Sequence, residues 1–98
     1  MTITKQRNGN ELVLTVAGRL DTTTAPQLEA EWKDELNGVQ KLVFDFADLD
    51  YLSSAGLRVL LTAQKTMAKQ GEMAVRHVNE TVKEVFDVTG FSEILTVE

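Results

Sequence analysis

Residues 41–46 read Lys-Leu-Val-Phe-Asp-Phe, a run too short for a helix and almost continuously apolar. That pattern suits a central strand buried on both faces. Such a strand needs other strands beside it and helices over it, and the rest of the chain divides accordingly. Upstream, residues 3–7 and the alternating Glu-Leu-Val-Leu-Thr-Val-Ala-Gly of residues 11–18 flank Asn8-Gly9-Asn10. Asn-Gly between two strand-like runs marks a hairpin, because both residues tolerate positive φ, so two antiparallel strands are expected there.

Helical spacing takes over between the strand candidates. Leu28, Trp32 and Leu36 recur at i, i+4 and i+8, Thr24 and Gln27 are spaced as a capping box, and Pro26 suits a first turn. These predict an amphipathic helix ending near Asn37-Gly38. Leu57, Leu60, Leu61, Gln64, Met67 and Ala68 share one stripe, which predicts a second helix over 54–70 with Gly71 as its stop. Residues 72–78 read as another strand. Val82, Val85, Phe86 and Thr89 mark a third helix, with Thr81 and Glu84 spaced as a capping box and Gly90 as its stop. Residues 93–97 close as a short strand.

Strands alternating with helices at this spacing predict an α/β fold, mainly a parallel sheet wound right-handed, with the N-terminal strand antiparallel. In such a sheet, function collects at the carboxyl ends of the strands, where helix N-termini and their unpaired N–H groups converge. Two loops are expected on that edge: residues 18–24, Gly-Arg-Leu-Asp-Thr-Thr-Thr, and residues 48–57, Asp-Leu-Asp-Tyr-Leu-Ser-Ser-Ala-Gly-Leu. Their meeting would bring Asp21 and the threonines Thr22, Thr23 and Thr24 towards Ser54.

Composition narrows the function classes. Ninety-eight residues with 43% hydrophobic and 26% charged content are what one compact domain over residues 1–98 requires. A core of that size leaves no room for a large internal cavity, so a site is expected on the surface. A net charge of -5, with ten scattered basic residues, argues against nucleic acid and favours a protein partner. Without cysteine there is no disulfide, thiol catalysis or Cys-based metal site. The first ten residues lack a signal-peptide h-region, and no run approaches the ~20 apolar residues of a membrane span, so a cytoplasmic protein without membrane contact is expected. One histidine and no clustered carboxylate spacing give no ground for a metal or a cofactor.

Taken alone, Ser53 and Ser54 read as helix N-caps. Gly56 is costly in a first helical turn unless something needs close approach there. Arg58 reads as a solvated side chain and Trp32 as core. His77 has no Ser or Cys partner at motif spacing and reads as structural. Glu29, Glu31, Lys33, Asp34 and Glu35 make a solvated helix face. A serine hydrolase would need a base, an orienting group and an oxyanion site, and Leu-Ser-Ser-Ala-Gly is not G-x-S-x-G, so no enzymatic activity is expected.

Three motifs in order carry a resemblance: L-D-x-x-T-A-x-x-L from Leu20 to Leu28, S-x-G-L from Ser54 to Leu57, and V-K-x-x-F-D-x-x-G-F from Val82 to Phe91. Together, across essentially the whole chain, they resemble the STAS family of anti-sigma factor antagonists. The resemblance implies a STAS-like strand-helix superhelix and a part in bacterial partner switching, a signal-transduction circuit that regulates transcription. In that circuit the unphosphorylated antagonist binds an anti-sigma factor, usually a serine kinase, which releases it by phosphorylation; a serine phosphatase reverses the step. Ser54 stands at the family's phosphorylatable serine, followed by Ala55, Gly56 and Leu57. Ser53 departs from the aspartate many members carry and is a rival acceptor. Asp21 matches an acidic residue that lies near the acceptor, and with Thr22, Thr23, Thr24, Asp50, Ser53, Ser54, Ala55, Gly56, Leu57 and Arg58 it forms the implied partner-binding surface. The alternative is a STAS module that binds a partner or a nucleotide without being phosphorylated.

Overall fold

The computed structural model describes all 98 residues. Strand β1 (Thr2–Asn8) turns through Gly9, at φ 61°, into β2 (Glu11–Leu20) as the expected antiparallel hairpin. Helix α1 (Ala25–Trp32), β3 (Lys41–Asp45), β4 (Leu49–Leu52), α2 (Ser54–Met67), β5 (Glu72–Arg76) and α3 (Glu80–Thr89) follow, then a 3₁₀ turn (Phe91–Glu93) and β6 (Thr96–Val97). The sheet runs β1-β2-β3-β5-β6, parallel beyond the first hairpin, and β4 pairs in parallel with the far end of β2. This is the α/β architecture the alternation predicts.

One face of the sheet makes the core. Leu12, Leu14 and Val16 of β2, Leu42 and Phe44 of β3, and Met73 and Val75 of β5 all point to it. Every buried apolar side chain of the three helices joins the same cluster, from Leu28 and Trp32 through Leu57, Leu60 and Met67 to Val82 and Phe86. The expectation of a central strand buried on both faces is met: Leu42 and Phe44 are buried in this cluster. Val43 is fully buried and lies on the opposite face, beside its register partners Val13 and Ala74.

Helix boundaries differ from the periodic reading in four places. Helix α1 stops at Trp32, because residues 33–40 must descend to the sheet: Val39 N–H turns back to the Leu36 carbonyl and Gln40 N–H bonds to Asn10. Leu36 is buried from that irregular segment. Helix α2 stops at Met67, and Gly71 is no left-handed cap; a Cβ there would stand 2.0 Å from the Gln40 carbonyl oxygen, so glycine serves a close backbone approach. Helix α3 begins at Asn79, whose side chain accepts from Val82 N–H at 2.9 Å, which moves Thr81 inside the helix and dissolves its capping box. The Thr24–Gln27 box is also absent, for a reason that belongs to the site.

Candidate functional site

Two chain reversals meet at one end of the molecule, and a short strand absent from the sequence reading joins them. Strand β2 leaves β3 after Thr15, Gly18 (φ 96°) pairs with Leu49 of β4, and a register shift between Gly18 and Arg19 sets Arg19 and Leu20 opposite Tyr51 and Leu52. Ser53 N–H then donates to the Leu20 carbonyl at 2.9 Å. The Asp21 loop and the two serines are thus brought together, as expected, but through β4 against β2 and not through β3.

Asp21 organises its own loop. Its Oδ1 accepts from Thr23 N–H at 3.0 Å, Thr24 N–H at 3.1 Å and the Thr24 hydroxyl at 3.2 Å, while its carbonyl receives Ala25 N–H at 2.8 Å. Thr24 Oγ1 also accepts Asp21 N–H and donates to the Arg19 carbonyl, both at 2.8 Å. The threonine hydroxyl is spent inside the turn, which is why it does not cap α1. Backbone hydrogen bonding from Thr24, followed by that from Thr23, holds the Asp21 carboxyl below its ordinary range, and the Arg19 guanidinium at 3.8 Å adds to this. Asp21 is an anion with a fixed direction, and Thr22 and Thr23 stand exposed beside it.

The two serines have separate tasks. Ser53 is half-buried in extended conformation, and its hydroxyl accepts Gly56 N–H at 3.4 Å as the N-cap of α2. Ser54 is the first residue of the helix, exposed, with its hydroxyl bonded to nothing in the chain. The cap signal in the sequence was real but belongs to Ser53 alone. Gly56 is buried, with Leu20 and Leu52 packed where a Cβ would sit. Leu57 is buried in the core, Ala55 is half-buried, and Arg58 is exposed one turn beyond Ser54. Ala55, Arg58, Val59 and Thr62 of α2 face Thr22, Ala25, Pro26 and Glu29 across a cleft of about 280 Å³. Asp50 is exposed on β4.

Arg19 and Tyr51 also belong to this surface and carry no sequence motif. The guanidinium carbon lies 4.2 Å from the ring centroid, and Tyr51 is 40% exposed, a large aromatic left at the surface beside the serines. Their adjacency follows from the register shift at Gly18, which pairing propensity alone does not reveal. His77 takes no part. It stands at φ 59° just past β5, its Nδ1 2.9 Å from Asp45 Oδ1, and neither serine is hydrogen-bonded to it.

Comparison with known proteins fits this geometry. The STAS domain model matches residues 2–98. The chain belongs to the STAS domain family. BtrV of Bordetella bronchiseptica, classed among the anti-sigma factor antagonists, is 36% identical over 99 residues, covering 99% of this chain and 85% of its own. The anti-sigma-B factor antagonist of Bacillus subtilis is 27% identical over 93 residues, covering 94% and 85%. Among solved structures, the anti-sigma factor antagonist SpoIIAA in its unphosphorylated form superposes with a TM-score of 0.85 at 19% identity, covering 99% of this chain and 88% of its own. At that identity the superposition speaks for the fold. The STAS chain described here has no helix long and apolar enough to cross a membrane.

Proposed function

We propose that this STAS protein is a cytoplasmic anti-sigma factor antagonist whose partner, an anti-sigma factor with serine kinase activity, binds it when Ser54 is unmodified and releases it once Ser54 is phosphorylated. A serine phosphatase restores the binding form. The observation that carries this reading is the division between the serines: the Ser53 hydroxyl caps α2, while the Ser54 hydroxyl is exposed and unbonded beside the Asp21 loop. Named relatives that are anti-sigma factor antagonists support it, as does SpoIIAA, which shares this fold and has been solved in phosphorylated form as well.

The physics of the switch follows from position. A phosphoserine carries about -1.5 to -2 charges at neutral pH. At the first residue of α2 the helix dipole favours an anion by ~0.3–1 kcal/mol, so the domain keeps its fold. The cost falls on the complex, where the dianion next to Asp21 and Asp50 would be desolvated or would face like charge. Since each ~1.4 kcal/mol is tenfold in affinity, a few such interactions separate bound from unbound without moving the backbone. Arg19, Asp21, Thr22, Thr23, Thr24, Asp50, Tyr51, Ala55, Gly56, Leu57 and Arg58 frame the docking surface, Gly56 and Leu57 by setting how closely α2 lies on the sheet. The chain does this by binding, with no chemistry of its own and no cofactor.

The test is the intact mass of the protein from its native host, with and without phosphatase inhibitors, followed by fragment mapping of residues 49–61. Phosphate on Ser54 is the expected result. Its absence under every growth condition would overturn the switch and leave a constitutive binding module.

A further inference from the structure

We propose that Arg58 is the residue that holds a phosphate carried by Ser54, so that modification both adds an anion and withdraws a cation from the docking surface. This rests on the reading of Ser54 as acceptor. Ser54 and Arg58 are four residues apart in α2, on one face and about 6 Å apart along the axis. Both are exposed. A guanidinium fork at that spacing reaches phosphate oxygens with two N–H donors, the geometry in which arginine outdoes lysine.

Arg58, like Arg7, Lys33, Lys65, Lys69 and Lys83, joins no ion pair, and of these it is the one a helical turn from Ser54 in α2. Lys5 is paired with Glu31 and Glu35, Arg19 with Asp21, and Lys41 and Arg76 with Glu98. Residues 51–70 contain no Asp or Glu, so α2 offers Arg58 no competing carboxylate. Across the cleft, Glu29 of α1 lines the far wall without reaching ion-pair distance. Asp21 Oδ1 is engaged by its own turn, and its Oδ2 is ion-paired with Arg19 at 3.8 Å. In the unmodified protein Arg58 is therefore an unclaimed cation one turn from an unclaimed hydroxyl.

The pair is tested on the full chain carrying phosphoserine at position 54, placed there during synthesis so that no kinase is needed. The second ionisation of the phosphate is followed by phosphorus NMR from pH 4 to 8 at low salt, for the parent, Arg58→Gln, Arg58→Lys and Lys65→Gln. Other charges at this end, Arg19, Asp21, Glu29 and Asp50, are common to all four proteins, as is His77 near Asp45. The phosphate of the parent is expected to be about threefold more acidic than that of Arg58→Gln, with Arg58→Lys between them and Lys65→Gln matching the parent. Coincident titrations of the parent and Arg58→Gln would overturn the pair. A Lys65→Gln shift as large as that of Arg58→Gln would also overturn it, by reducing the effect to the general field of the helix. Loss of the pair leaves the cellular switch standing, and absence of phosphate in the native host leaves this titration standing, so the two failures are distinct.

Discussion

Gly56→Ala is the substitution in which packing and site are most directly coupled. The glycine lies in the first turn of α2, and an added Cβ would come to 2.6 Å from Leu52 Cδ1, 2.7 Å from Leu20 Cγ and 3.0 Å from Leu20 Cδ2. Carbon atoms in good contact sit at roughly 3.5–4.0 Å. Leu20 and Leu52 are 0% and 4% exposed and are held in the core, so neither can swing into solvent. Moving each off its rotamer costs about 0.5–1.5 kcal/mol, while alanine in place of glycine in a helix returns about 1 kcal/mol. The balance is a net destabilisation of about 1 kcal/mol, and for a domain of this size that lowers Tm by ~4–8 °C. Thermal unfolding followed by circular dichroism, with urea titration for the free energy, measures it directly. An unchanged or raised Tm would mean that α2 can lift off Leu20 and Leu52 at no cost, and the account of why glycine stands in the helix would fail. Because Leu20 leads into Asp21 and Leu52 into Ser53, the same variant is expected to disturb the docking surface, which phosphorylation rate or partner affinity would register.

The serines give a second contrast: Ser53→Ala is expected to lower stability by up to about 1 kcal/mol through loss of the α2 cap, and Ser54→Ala to leave it within ~0.5 kcal/mol, both read from urea unfolding. Gly71 and Gly90 differ in mechanism. Gly71→Ala drives a Cβ into the Gln40 carbonyl that receives Glu72 N–H, and should cost more than about 2 kcal/mol, whereas Gly90→Ala has open space around it and loses only ~1 kcal/mol to its φ of 81°. Asp21 predicts a pH signature. Its folded-state ionisation lies below the ordinary value of 3.8, so the charged form is the one the fold favours; its contribution is complete above that value and is lost as pH falls through the depressed one. Parent and Asp21→Asn, which keeps an acceptor oxygen but not the charge, should therefore differ in stability at pH 7 and converge as pH falls through that depressed ionisation. A difference that persists or grows in acid would refute this.

Most of the sheet was legible because its signals are local: the Asn8-Gly9 turn, the alternation of β2 and the apolar run of β3 each follow from residues adjacent in sequence. What stayed hidden was set by contacts far apart in the chain. Leu49–Leu52 shows the burial order buried, exposed, exposed, buried, which matches no strand period, and it becomes a strand only because β2 runs on past the end of its pairing with β3 and pairs with it. The stop of α2 was assigned to Gly71 on composition, whereas the reason for that glycine is a carbonyl 31 residues earlier. Capping boxes misled twice, since Thr and a carboxamide or carboxylate three apart are common: Asn79 starts α3 two residues before Thr81, and the Thr24 hydroxyl is engaged by Asp21 N–H and the Arg19 carbonyl.

The same distinction between local and distant causes bears on Ser53 and Ser54, between which the resemblance prefers Ser54 by position while their composition as caps prefers neither. Both precede an apolar helix, and both satisfy the composition of a cap. The pairing of β4 with β2 gives the two different places: Ser53 N–H is drawn to the Leu20 carbonyl, and Ser53, in extended conformation, turns its hydroxyl to Gly56 N–H. The next residue is then the first whose hydroxyl faces solvent. A kinase needs a hydroxyl it can reach, and a fold that must survive the modification needs that hydroxyl to hold nothing together. Ser54 meets both conditions because Ser53 has already taken the structural task, so phosphate on Ser53 would have to displace the cap before it could signal.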